Sequence, residues 1–200
     1  MAKRISGVSA RLLACAKKEF LEKGFQEASI RQIATAAETS PRAIYTRFAD
    51  KEALFEAIVK DTAEEFLQIH HNFIQAYWAE QNSTPEISKS SSSVYVELMN
   101  YAYEHIDEFT LILKKSVGTS YASFAQDLAT TDFLAISGHT QDYNFPNANV
   151  MFQLIQQLTS SFYTRMFDPL FLNMTKEEAR FYIEKMCDFY NGGVTELLKN

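Results

Sequence analysis

Glycine and proline are scarce in this chain, six and four among 200 residues. Sandwiches and barrels need such residues at every turn, so the scarcity favours long helices. Long apolar runs are missing too: the longest, Leu12 to Ala16, stops at Lys17, Lys18 and Glu19. That is far too short for a membrane span, and it supplies no signal-peptide core near the start of the chain. Only two cysteines occur, Cys15 and Cys187, too far apart to match a metal or redox motif. The expectation is buried, reduced thiols in a cytoplasmic protein. There is no glycine-rich phosphate loop and no nucleophile elbow. His70 and His71 are adjacent and face different sides of a helix, unlike an i, i+4 metal pair. No catalytic residue, metal or cofactor is expected, and the chain does not read as an enzyme.

What is present is a division of charge. The net charge is −6, but residues 1–60 hold eleven Lys and Arg against seven Asp and Glu, a net of +4. Residues 61–200 hold eight against eighteen, a net of −10. A basic segment on an acidic body suits a polyanionic partner for the basic end, or a merely solvated lysine-bearing face.

The pattern is helical throughout. Val8, Leu12, Ala16 and Phe20 recur at spacing four, predicting a helix over about 6–23 that stops at Gly24. Ser29 with Gln32 forms a capping box for a short second helix through Ala37. Ser40-Pro41 opens a third helix to about Phe48, and Asp50 caps a long fourth reaching about Trp78. Polar stretches over 82–93 and 137–146 read as loops, with further helices at about 94–105, 108–117 and 120–136. No strand survives the alternation test, and the fold class is all-α.

Two terminal helices carry a pairing signal. The first, 147–167, sets Met151, Ile155, Leu158, Phe162 and Met166 on one side. Thr175 and Glu178 form a capping box for the last helix, where Ala179, Ile183, Met186, Tyr190, Gly193 and Leu197 follow a heptad seam. We expect a homodimer through a four-helix bundle, with Met151, Ile155, Leu158, Phe162, Ile183, Met186, Tyr190, Gly193 and Leu197 at the interface. Packing inside one subunit is the alternative reading of the same stripes.

Residues 29–48 form helix, tight turn, helix behind a supporting helix, the arrangement that presents a second helix to the major groove. Thr39, Ser40, Arg42, Ala43 and Thr46 project from the start and outer face of that recognition helix. They are short donors plus a guanidinium able to contact guanine through two bonds. Tyr45, Arg47 and Lys51 suit flanking phosphates, as do Ser29 and the first amides of the second helix.

At this point the chain resembles the TetR family of bacterial transcriptional regulators. Gly24-Phe25, Ser29-Ile30 with Ile33-Ala34, and Ile44-Tyr45 with Phe48, Lys51 and Leu54 carry the likeness, which is close over about residues 6–66. One position departs: Glu38 stands in the turn where the family usually has Gly, placing a carboxylate near DNA. The resemblance implies a reader domain at 6–66 and a helical effector-binding and dimerisation domain at 67–200. It also implies a dimer on a palindromic double-stranded DNA operator, repression of a nearby gene, and release by a small molecule.

The second half is rich in aromatic residues, so the implied effector is apolar or aromatic, and cationic character would suit the acidic balance. Trp78, Tyr101, Phe109, Phe124, Phe152 and Tyr163 are the candidate pocket residues; ordinary core packing is the other role for each. The competing functional readings are a helical ligand- or protein-binding dimer with weak DNA binding, and a DNA-bound activator.

Overall fold

The computed structural model describes residues 7–80, 91–139 and 147–198; the Val8 and Trp78 side chains, and the expected loop segments 81–90 and 140–146, lie outside the described residues. Ten α-helices and one π-helical turn are found there, with no strand among the described residues. They are α1 (Gly7–Glu27), α2 (Ile30–Ala36), α3 (Pro41–Tyr45), α4 (Lys51–Glu80), α5 (Ser91–Glu104), α6 (Ile106–Thr110), α7 (Phe124–His139), α8 (Ala148–Met166), α9 (Asp168–Phe171) and α10 (Lys176–Leu198). The π turn, Leu111–Lys115, continues directly from α6.

The chain forms two compact units. One comprises residues 1–64 and 105–122, the other 65–104 and 123–200. The expected division at residue 66 falls close to the break within α4. What sequence did not show is that 105–122 folds with the N-terminal helices.

The reason lies in side chains of the first unit. Phe109, Leu111 and Ile112 are buried with Leu12, Ala16 and Phe20 of α1 and Leu54, Phe55 and Val59 of α4. Phe20 and Phe55 meet edge to face at 5.2 Å. Lys17 fastens the segment, with Nζ 2.8 Å from Glu108 and 3.0 Å from Asp107. Partial burial opposes its charge, yet the two carboxylates hold its pKa above the ordinary lysine value. Gly24 has φ 78 and ψ 165, a kink rather than a simple stop, and one further turn carries α1 on to Glu27.

In the second unit α7 packs on α8 and α10 on α5. Phe66, Leu98, Met99, Leu128, Tyr163, Met166 and Ile183 form its core. Thr175 caps α10 as expected: its Oγ accepts from the Glu178 amide at 3.2 Å, and Glu178 accepts from the Thr175 amide at 2.8 Å. The short helix α9 was not read from sequence; Pro169 in its first turn is its local signal.

The heptad seam of α10 meets a different surface than expected. Ile155, Phe162 and Ile183 are buried within their own subunit, and Tyr190 stacks on Phe162 at 5.2 Å. Met151, Leu158, Met186 and Leu197 are half-buried. Gly192 and Gly193 are exposed, and no atom lies near enough for either to serve a close approach inside the subunit. The outward apolar residues of α10 are instead Phe181 and Phe189, 62% and 74% exposed. α10 has an apolar stripe on each side, and the regular one is inward because an interior demands continuous contact.

Candidate nucleic-acid interface

Helices α2 and α3 are short and owe their ends to side chains. Ser29 Oγ accepts from the Gln32 amide at 3.4 Å. The reciprocal half of the capping box is tertiary: Glu19 of α1, not Gln32, accepts the Ser29 N–H at 3.1 Å. Ser40, in extended conformation, accepts from the Ala43 amide at 3.2 Å, and Pro41 follows in the first turn. The recognition helix ends at Tyr45, short of the expected Phe48, because its last amides fold back on Ile44 O at 2.9 and 3.0 Å. Ile33, Ala34 and Ile44 are buried and fix α2 and α3 to the unit's core.

This sorts the expected contact residues. Arg42, Tyr45, Thr46 and Arg47 are exposed, with Thr39 and Ala43 half-buried beside them. Tyr45 is 51% exposed, which for an aromatic ring without a core role leaves its face and hydroxyl available to a partner. The Thr46 hydroxyl donates to Arg42 O at 2.9 Å and keeps acceptor capacity. Ser29 and Ser40 hold helix starts, so their oxygens are already engaged. Lys51, expected at a phosphate, is turned inward. Its ammonium donates to the carbonyls of Gln26 at 2.9 Å and Ala28 at 3.2 Å, and it lies 4.7 Å from the Phe25 ring centroid. It ties the end of α1 to the start of α4.

The turn carries Glu38 with φ 52, the left-handed backbone that glycine accepts without cost. Arg11 of α1 grips its carboxylate through both nitrogens, at 2.6 and 2.8 Å. The hydrogen bond and the charge of Arg11 hold the Glu38 carboxyl below the usual carboxylate range. The acid in the turn therefore arrives already neutralised. Sequence reasoning passed over Arg11; the signal was Glu38 itself, since an acid at such a surface calls for a cation nearby.

The expected effector residues do not form one set. Phe109 is fully buried in the first unit, whereas Tyr101, Phe124, Phe152 and Tyr163 belong to the second. Sequence placed Phe109 wrongly because α6 looks like a continuation of the helices before it. Tyr101 donates to Glu65 at 2.9 Å, Phe124 packs on Phe66 at 5.9 Å, and Phe152 is half-buried. Tyr163 is fully buried in a polar cluster that sequence gave no means of seeing. The thiols also differ from expectation in part: Cys187 is buried and pushed up to about 12, chiefly by burial, while Cys15 is half-exposed.

Residues 12–58 match the sequence model of the bacterial regulatory proteins, tetR family. No curated protein matches the chain. Among solved structures, a TetR-like transcriptional regulator from Rhodococcus is similar over 92% of this chain and 96% of its own, with 14% identity and a TM-score of 0.56. A TetR-family regulator from Streptomyces coelicolor aligns over 96% and 99%, with 14% identity and a TM-score of 0.46. Reader motif and fold together define a helix-turn-helix DNA-binding transcriptional regulator. Its N-terminal domain is a TetR-family reader, and the chain as a whole has the TetR-type all-α fold.

Proposed function

We propose that the protein is a homodimeric repressor that binds a palindromic operator through α3 and lets go when a small molecule enters the C-terminal unit. The observation that carries this reading is the outer face of α3, where Arg42, Tyr45, Thr46 and Arg47 stand exposed on a helix capped and buried on its other side. Arg42 reads a base edge, with Thr39, Ala43 and Thr46 beside it; Tyr45 and Arg47 take phosphates. The amides at the start of α2 add a phosphate site, with Ser29 shaping it.

The dimer reading draws on α8 and α10. Phe181 and Phe189 border an open groove of about 730 Å³ that also includes Met174, Tyr182, Lys185 and Met186. Val150 and Leu154 of α8 are 64% and 41% exposed. So much outward apolar surface on two long helices suits burial against the same helices of a second copy. Two recognition helices then read half-sites about 34–36 Å apart, and an effector favouring another spacing releases DNA.

Selection of bound duplexes from a random pool at two salt concentrations tests the reading. A palindrome whose affinity falls steeply with salt is expected. Recovery of no sequence from folded, dimeric protein would overturn DNA reading. Phe181→Ser with Phe189→Ser is expected to shift sedimentation from dimer to monomer while helix content stays unchanged.

A further inference from the structure

Four polar side chains from four helices meet inside the C-terminal unit. Tyr163 of α8 is fully buried, and its hydroxyl is hydrogen-bonded to Nε2 of His70 on α4. Tyr95 of α5 lies 3.4 Å away, oxygen to oxygen. The fourth partner is the carboxyl of Asp132 on α7. Apolar rings surround them: Tyr95 lies 4.7 Å from Phe162 and 5.8 Å from Phe73, ring centroid to centroid.

Proton accounting gives the group a direction. A phenol has one proton to donate, and a carboxylate can only accept. When Tyr163 donates to ionised Asp132, its oxygen must accept from His70, which then carries its proton on Nε2. The imidazole is neutral, since burial pushes it down to about 4. All the dipoles of the group therefore point toward Asp132 and favour negative charge there.

That charge has no protein counterpart. No Lys or Arg among the described residues forms an ion pair with Asp132. Burial pushes its carboxyl up to about 7, and the Tyr163 hydrogen bond only partly opposes this. Its position also differs from those of its neighbours. Tyr163 and His70 are sealed, 0% and 2% exposed, whereas Asp132 keeps part of its surface accessible. A purely structural network would close on itself or end on a cation. This one ends on an acid with an open side.

We propose that Asp132 is the charge-recognition group of the effector site and that the effector is a small organic cation, an amine on an apolar or aromatic frame. The proposal rests on reading the C-terminal unit as the sensor and narrows the chemistry of what it senses. An ammonium at Asp132 would supply the missing positive charge, and nearby aromatic faces would favour the same sign. An anion would meet repulsion, and a neutral ligand would gain only a hydrogen bond.

The test uses the full chain and a panel of aryl- and alkylamines with matched alcohols and carboxylates, followed by calorimetry and thermal shift. At least one amine is expected to bind about tenfold or more tighter than its alcohol and carboxylate. Asp132→Asn is expected to erase that margin, and Asp132→Glu to retain much of it, which separates loss of charge from loss of folding. Alcohols or carboxylates binding as well as amines, with Asp132→Asn indifferent, would overturn the cation while leaving the sensor intact. No binding by any panel member would overturn both.

Discussion

The two units use polar side chains in opposite ways. In the reader they lie at the surface and act locally: Ser29, Ser40 and Asp50 cap helices, and Arg11 neutralises Glu38. In the C-terminal unit His70, Tyr163 and Asp132 sit among aromatic rings and depend on one another. A surface cap is satisfied by its own segment and works wherever that segment folds. A buried network exists only when several helices are in place, so its cost is justified by specificity or by a ligand. One unit is built to hold a fixed surface, the other to respond.

The largest effects expected are in the reader's interior. Ile44→Ala should cost about 2–5 kcal/mol in urea unfolding, because a fully buried branched side chain leaves a cavity beneath α3. DNA binding should fall with it. A loss below about 0.5 kcal/mol would mean that α3 is not anchored as described.

Next come two cations that sequence grouped together. Arg42→Ala should weaken the selected operator by about 1–3 kcal/mol and relax preference at one base position, leaving stability nearly unchanged. Lys51→Met should do the reverse: removing its two carbonyl bonds should lower stability by about 1–3 kcal/mol, with the salt dependence of DNA binding preserved. Matching behaviour in both assays would erase the distinction between reader and fastening.

The interior cluster is expected to show in the pH dependence of stability. Asp132 titrates at about 7 folded against an ordinary 3.8, so between those values the native state holds a proton that the unfolded chain has lost, and stability falls as pH rises. His70 titrates at about 4 folded against 6.5, so over that window the unfolded chain holds the extra proton, and stability rises with pH. The slopes oppose each other in the parent protein. Asp132→Asn should leave a rising profile from about pH 4 to 6.5, and His70→Gln a falling one from about pH 4 to 7. Urea midpoints across that range would decide, and identical profiles in both variants would remove the cluster from the account.

The smallest effect belongs to Glu38→Gly. Losing an exposed ion pair is a minor matter, and glycine relieves the left-handed backbone, so thermal stability should hold or rise slightly. Operator affinity should hold or rise as well. A marked fall in affinity would show that the Arg11–Glu38 pair positions α3.

The reader was legible because its information is local. Ser40-Pro41, Asp50 and the spacing from Ile44 to Leu54 each specify a backbone step within a few residues. The exceptions were tertiary: Glu19 completing the cap at Ser29, and Lys51 facing carbonyls instead of phosphate. Phe109 could not be assigned to a unit from sequence, because an amphipathic segment does not say which of two interiors will take it. The α10 seam was likewise legible as a stripe but not as an interface, since inward and outward stripes share one period.

The sequence by itself determined the all-α class, the helix starts, the helix-turn-helix and the sign of charge at each end. Those follow from periodicity, capping chemistry and composition, which act over one or two helical turns. Only tertiary structure decided that 105–122 joins the reader, that Phe181 and Phe189 are the outward residues of α10, and that His70, Tyr95, Asp132 and Tyr163 converge. Each depends on residues distant along the chain competing for one interior, and no local pattern records the outcome.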